Sequence, residues 1–76
     1  MDGKKLVRMA NDIAAFFRAE PVRADAIAGV VGHLRKFWDP RMRRELLALH
    51  DAGGEGMDEL VKEALQSHRD GFVPAG

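Results

Sequence analysis

The sequence contains no cysteine and no tyrosine, one tryptophan and three prolines, and it has no long apolar run. Without cysteine there is no disulfide framework, no cysteine-ligated zinc or iron–sulfur site and no thiol catalysis, and the chain suits a reducing compartment. The mixed residues at its start argue against a secretory signal and a membrane span. A chain of 76 residues predicts one domain with a thin core, and so small a domain rarely encloses a water-excluding active site.

Charges of the two signs are balanced in number but not in position. The 12 Lys and Arg residues equal the 12 Asp and Glu residues, so the net charge is zero. Residues 1–50 contain ten cations and six acids (+4), and residues 51–76 contain two cations and six acids (−4). A neutral chain with a local basic patch favours a particular acidic or carbonyl-rich protein surface over general binding to nucleic acid.

Apolar residues recur at helical spacing in four segments, with no alternating pattern typical of strands. The sequence therefore predicts an all-α fold, a small bundle of three main helices plus a short fourth, C-terminal helix. Residues 1–68 are expected to form this single helical domain and residues 69–76 a flexible C-terminal tail. The four helices are expected at residues 4–19, 23–37, 40 to about 50, and 59 to about 68.

Helix boundaries are indicated by capping residues. Asp2, Asp39 and Asp58 stand where side-chain acceptors for the first helical N–H groups are needed. Pro40 suits the first helical position, where its missing N–H would have no partner in any case. Gly53 suits a left-handed C-terminal cap, which predicts a loop before the last helix.

The apolar stripes and two glycines predict how the helices pack. Phe16 and Phe17 are expected in the stripe of the first helix, and Ala24 and Ala28 in that of the second. The second helix also contains Gly29 and Gly32, which we interpret as points of close helix–helix approach.

No constellation predicts chemistry. The three histidines, His33, His50 and His68, are 17 and 18 residues apart, which is not a local metal-ligand spacing. The acidic residues near the last helix are interpreted as capping and solubilising groups, and the glycine loop lacks the lysine of a phosphate-binding loop. We therefore predict no catalytic, cofactor-binding or metal-binding residue in this chain.

The densest positive stretch runs from His33 to Arg44, with five cations, one carboxylate and two adjacent aromatic residues. Three interpretations are open: a solvated surface over a core filled by Phe37 and Trp38, a nucleic-acid-binding corner between two helices, or a protein interface. At least one of the two aromatics is expected in the core under all three.

The protein interface is favoured. Arg41 and Arg44 are three residues apart and share one side of a helix, whereas Arg43 points elsewhere. The corner thus presents cations in at least two directions, which is more than one DNA groove requires. Arginine and tryptophan are also enriched at interface hot spots, where a guanidinium can bridge carboxylates or helix-end carbonyls.

Five runs of the sequence match one known family: residues 6–11, 13–17, 28–30, 33–43 and 53–56. The specific ones are residues 6–11, which read LVRMAN, and residues 33–43, which read HLRKFWDPRMR. Through these runs the chain resembles the delta subunit of soluble NAD-dependent, molybdenum-containing formate dehydrogenases. The resemblance covers most of residues 5–66.

The resemblance implies a non-catalytic, cofactor-free accessory subunit of a cytoplasmic formate:NAD oxidoreductase complex. It implies an alpha subunit that carries a molybdenum–pterin dinucleotide centre and iron–sulfur clusters, and beta and gamma subunits that carry FMN, the NAD site and further clusters. The chain would bind and stabilise the alpha subunit and support cofactor insertion or assembly. Two alternatives remain. One is a transient maturation chaperone that is not retained in the mature enzyme, and the other is a small helical nucleic-acid-binding protein. The expected partner-binding residues are Arg35, Lys36, Phe37, Trp38, Arg41, Arg43 and Arg44, with Arg8 and Asn11 on the first helix as second candidates.

Overall fold

The computed structural model describes residues 2–69, and this part of the chain contains four helices and no strand. The helices are α1 (Gly3–Phe17), α2 (Arg23–Phe37), α3 (Pro40–Asp51) and α4 (Glu59–Ser67). The all-α prediction is confirmed, and each predicted boundary lies within two residues of the observed one. The predicted tail, residues 69–76, lies outside the described residues except for Arg69.

The predicted caps are formed as expected. The Asp2 carboxylate accepts from the N–H of the residue two positions later at 3.1 Å, and Asp39 and Asp58 cap α3 and α4, each at 2.8 Å. At the end of α3, the Gly53 and Gly54 N–H groups donate to carbonyls of the last helical turn. Both glycines have positive φ angles, +124° and +63°, which side chains rarely tolerate.

One contiguous core holds the four helices together. α2 packs most extensively on α4, and α1 packs on each of the other three helices. Among residues 2–69 no polar or charged residue is buried, so the core is stabilised by burial of apolar surface. Its largest fully buried side chains are Leu6, Val30, Leu34, Leu46, Leu60, Val61 and Leu65.

The apolar face of α1 differs from the predicted stripe. It is centred on residues spaced four apart, Leu6, Ala10 and Ala14, and Phe17 packs beside it. Phe16 is two residues beyond Ala14 and therefore lies about 200° around the helix. The prediction that Phe16 is a core residue is wrong, because its side chain is 76% exposed.

The same geometry corrects the stripe of α2. Its buried residues include Ala26, Val30 and Leu34, which are again spaced four apart. Ala24 and Ala28 each lie two residues from a member of this set and are exposed. Alanine is too small to indicate by itself which side of a helix is buried. The alanines of α2 therefore fit a buried stripe on either side of the helix.

The two glycines of α2 have different surroundings. A Cβ atom at Gly29 would lie 2.3 Å from Cδ1 of Phe17, so only glycine allows this ring to pack on α2. A Cβ atom at Gly32 would meet no atom within 4 Å. Close helix–helix approach is therefore confirmed at Gly29 and wrong at Gly32.

An ion pair joins the end of α3 to the residues after α4. Nη1 and Nη2 of Arg69 donate to the two carboxylate oxygens of Asp51 at 2.9 and 2.6 Å. The Arg69 guanidinium, assisted by His50, lowers the pKa of the Asp51 carboxyl from 3.8 to about 2. Charged Asp51 thus favours the folded state at any pH above its unfolded-state pKa.

This pairing predicts an acid-dependent loss of stability. Because the folded-state pKa is the lower one, the contribution is complete above about pH 4 and is lost as the pH falls towards 2. Arg69→Gln should therefore lower the urea midpoint at about pH 5 and have a smaller effect at about pH 2. Circular dichroism at both pH values measures this difference. An equal effect of Arg69→Gln at the two pH values would contradict the assignment.

Among residues 2–69, no helix is both long enough and apolar enough to span a bilayer.

Candidate functional site

The site predicted from the sequence lies at a sharp corner between two helices. α2 ends at Phe37 and α3 begins at Pro40, so only Trp38 and Asp39 connect them. Trp38 has an extended backbone and Asp39 caps α3, which fixes the direction in which α3 leaves. The two helices share few contacts with each other. We refer to residues 35–44 as the α2–α3 elbow.

Arg43 closes the elbow from within the chain. Its Nη1 atom lies 2.6 Å from the carbonyl oxygen of Trp38, 3.0 Å from that of Arg35 and 3.5 Å from that of Leu34. The last carbonyls of a helix have no intrahelical partner, and a cation there also interacts favourably with the helix dipole. Arg43 was predicted to donate to a partner, whereas the structure directs its Nη1 to the end of α2.

The two adjacent aromatic residues of the elbow have opposite surroundings. Trp38 is 6% exposed and belongs to the core, whereas Phe37 is 68% exposed. The expectation that at least one of the two fills the core is confirmed. Only Phe37 offers a large apolar surface at the elbow, and its ring lies 4.7 Å from that of His33, centroid to centroid.

Four exposed cations of the elbow have no acidic partner among residues 2–69. Elsewhere in the described part of the chain, four cations pair with acids: Arg18 with Asp58, Arg23 with Glu63, Lys62 with Glu59 and Arg69 with Asp51. Unpaired exposed cations have not yet lost their hydration, so they are available to carboxylates or carbonyls of another molecule. These four residues are Arg35, Lys36, Arg41 and Arg44, all exposed.

The two second-rank residues of α1 have different roles. Asn11 is used inside the chain, because its amide donates to the Gly56 carbonyl and accepts from the Asp58 N–H, both at 2.9 Å. It thereby attaches the α3–α4 loop to α1. Arg8 is exposed on the wall of an open cleft of about 670 Å³ between α1 and that loop, with Leu49 among its apolar residues.

The elbow therefore offers another molecule one exposed apolar ring and four exposed cations. Within the described part of the chain, no three His, Asp or Glu side chains are grouped so that they could hold a metal ion.

Two features were missed by sequence reasoning, namely the internal role of Arg43 and the exposure of Phe16. The position of Arg43 four residues after a cap at Asp39 could have indicated contact with the preceding helix end.

Comparisons with known proteins place most of the chain in one family. A family model described as NADH-dependant formate dehydrogenase delta subunit FdsD matches residues 5–65. This range includes the complete elbow and all of the four helices except the first two residues of α1 and the last two of α4. No curated protein and no solved structure matches the chain.

Proposed function

The chain belongs to the FdsD family of NADH-dependent formate dehydrogenase delta subunits, and we propose that it is a non-catalytic accessory subunit that binds the alpha subunit of that enzyme. In this role it stabilises the folded alpha subunit and supports insertion of its cofactor or assembly of the complex. A ligand that binds only the native state shifts the folding equilibrium towards that state, so no chemistry is needed for this effect.

The observation that carries the proposal is the composition of the elbow surface. The elbow carries an exposed phenyl ring at Phe37 and four cations without acidic partners among residues 2–69, on a backbone that Arg43 and Asp39 hold in place. Aromatic and arginine side chains on a rigid support are typical of interface hot spots. This supports docking on a surface rich in carboxylates or helix-end carbonyls.

The expected cofactors of the complex belong to the partner subunits in this proposal. A molybdenum–pterin dinucleotide centre with iron–sulfur clusters is expected in the alpha subunit, and FMN with the NAD site and further clusters in the beta and gamma subunits. The chain has no cysteine to ligate a cluster. Its own residues would act on these groups only through the fold of the subunit that they bind.

The elbow predicts a charge-reversal result. Arg41→Glu with Arg44→Glu should abolish co-purification of the chain with the alpha subunit, because two attractive contacts become repulsive. The matched control is Lys4→Glu with Lys5→Glu, which changes the net charge equally at another exposed site. The measurement is the amount of tagged chain recovered per alpha subunit. Full co-purification and activity of the Arg41/Arg44 variant would show that the elbow is not the docking surface.

The same purification separates the alternatives. A permanent subunit is recovered with the mature enzyme in a fixed ratio. A transient maturation chaperone is recovered with the cofactor-free alpha subunit and is absent from the mature enzyme. A nucleic-acid-binding protein needs no protein partner, and its affinity for duplex DNA or RNA falls steeply with salt.

A further inference from the structure

Large apolar side chains are exposed at two places on the α1–α2 hairpin in the described part of the chain. Phe37 belongs to the elbow, whereas Phe16 and Val22 flank the turn between α1 and α2. The elbow does not account for Phe16, which is the more exposed of the two phenylalanines.

Both exposed phenylalanines border the same side of α2. The Phe16 ring lies 5.0 Å from the Phe17 ring, centroid to centroid, and Phe17 packs directly over Gly29. His33 and Phe37 follow Gly29 at intervals of four, so these three residues share one side of α2. Eight residues of helix span about 12 Å, which brings the two exposed rings within reach of one partner element. We call this strip, from Phe16 past Gly29 and Gly32 to Phe37, the α1–α2 seam.

Gly32 lies beside this seam, three residues after Gly29. Glycine is among the poorest helix formers, and nothing within the described chain needs the space that its missing side chain leaves. That space is open to the outside, because Gly32 is exposed. A partner backbone could therefore approach α2 more closely here than at a residue with a side chain.

The charges along the seam differ from end to end. Near Phe16, the cations Arg18 and Arg23 are already paired with Asp58 and Glu63. Near Phe37, Lys36 is seven residues after Gly29 on the same side of α2 and has no acidic partner among residues 2–69. A complementary surface is therefore apolar at the first end and acidic at the second. An anionic membrane would instead favour unpaired cations around both phenylalanines.

A single interface of ordinary area would cover both exposed phenylalanines. A stable interface buries about 800 Å² per partner, which is a patch roughly 28 Å across. The chain measures only 33 × 27 × 20 Å, so an interface of that size centred on the elbow extends along most of one side. Two exposed rings alone provide too little area for a stable dimer of two copies of this chain.

We propose that an amphipathic helix of the alpha subunit packs along the α1–α2 seam, with its apolar side between Phe16 and Phe37 and a carboxylate beside Lys36. This inference rests on the proposed function and adds a second, apolar contact to the charged one at the elbow. Helix-in-groove docking of this kind uses apolar residues spaced over several turns.

The test compares two seam variants with a control on another helix. Gly32→Gln fills the open space and Phe16→Ser removes the apolar contact, and Ser67→Gln adds the same side chain at an exposed site of α4. The affinity of each purified full-length variant is measured against cognate formate dehydrogenase produced without its delta subunit. The seam variants should bind at least about tenfold more weakly, and the control within about twofold of wild type. The melting temperature of the Gly32→Gln chain should not fall, because glutamine is the better helix former.

The outcomes separate this inference from the proposed function. If both seam variants bind as wild type does while Arg41→Glu with Arg44→Glu does not bind, the seam is not a contact and the elbow proposal stands. If the wild-type chain does not bind the enzyme, the proposed function and this inference both fail. If Phe16→Ser instead abolishes self-association of the chain, or its binding to phosphatidylserine vesicles, the seam contacts a second copy or a lipid surface and the inference is overturned.

Discussion

Trp38→Ala is expected to lower the free energy of unfolding by about 3–5 kcal/mol, because it leaves a large cavity in a thin core. The indole is 6% exposed and packs in the same core cluster as the apolar residues of all four helices. The adjacent Phe37→Ala is the matched control. It removes a ring that is mostly in solvent, so the free energy of unfolding should change by about 0.5 kcal/mol or less.

Urea denaturation followed by circular dichroism measures both variants. Fluorescence is unsuitable, since Trp38 is the only tryptophan in the chain. Phe37→Ala should have little effect on stability but a clear effect on binding. It should weaken binding to the alpha subunit while the chain stays folded. If Phe37→Ala destabilises the chain as much as Trp38→Ala does, the ring packs inside the fold and the elbow offers no apolar contact to a partner.

The sequence was sufficient to predict where the helices begin and end. Three of the four starts are specified by a local side-chain cap, such as the Asp39 carboxylate with the third N–H group after it, and these interactions need no tertiary context. The C-terminal cap of α3 depends in the same way on the free conformations of Gly53 and Gly54. Capping residues together with the helical spacing of apolar residues were therefore sufficient to predict the helix bounds to within two residues.

Which side of each helix is buried could not be predicted as well. In α1 the pattern of apolar residues fits two overlapping stripes, and the observed one selects Ala14 for the core and leaves Phe16 outside. The choice depends on the contact of Phe17 with Gly29, which joins two helices and has no local signature. The exposure of Phe16 therefore has no local signature either.

The elbow shows a similar division between local and tertiary information. That residues 35–44 form a helix–helix corner follows from the sequence Trp38-Asp39-Pro40. The sequence does not show which of the five cations in the elbow remain unpaired, because the pairing depends on the angle between α2 and α3. The structure assigns one of the five, Arg43, to the end of α2 and leaves the other four on the surface.

Arg43→Ala should lower the free energy of unfolding by about 2–3 kcal/mol, which is the range for loss of hydrogen bonds from a charged group to partly buried acceptors. The Trp38 and Arg35 carbonyls, at 2.6 and 3.0 Å from Nη1, would lose this donor. The neighbouring Arg44→Ala removes an exposed guanidinium and serves as the control, with an expected change of about 0.5 kcal/mol or less.

The two arginines should also separate stability from binding. Arg44→Ala should weaken binding to the alpha subunit without changing the urea midpoint, whereas Arg43→Ala should lower the midpoint even when no partner is present. Arg43→Lys keeps the charge but has a single ammonium group in place of the planar fork, so we expect it to recover only part of the lost stability. An Arg43→Ala chain that unfolds at the wild-type midpoint, yet no longer binds the alpha subunit, would make Arg43 a direct partner contact and its hydrogen bonds to the end of α2 dispensable for the fold.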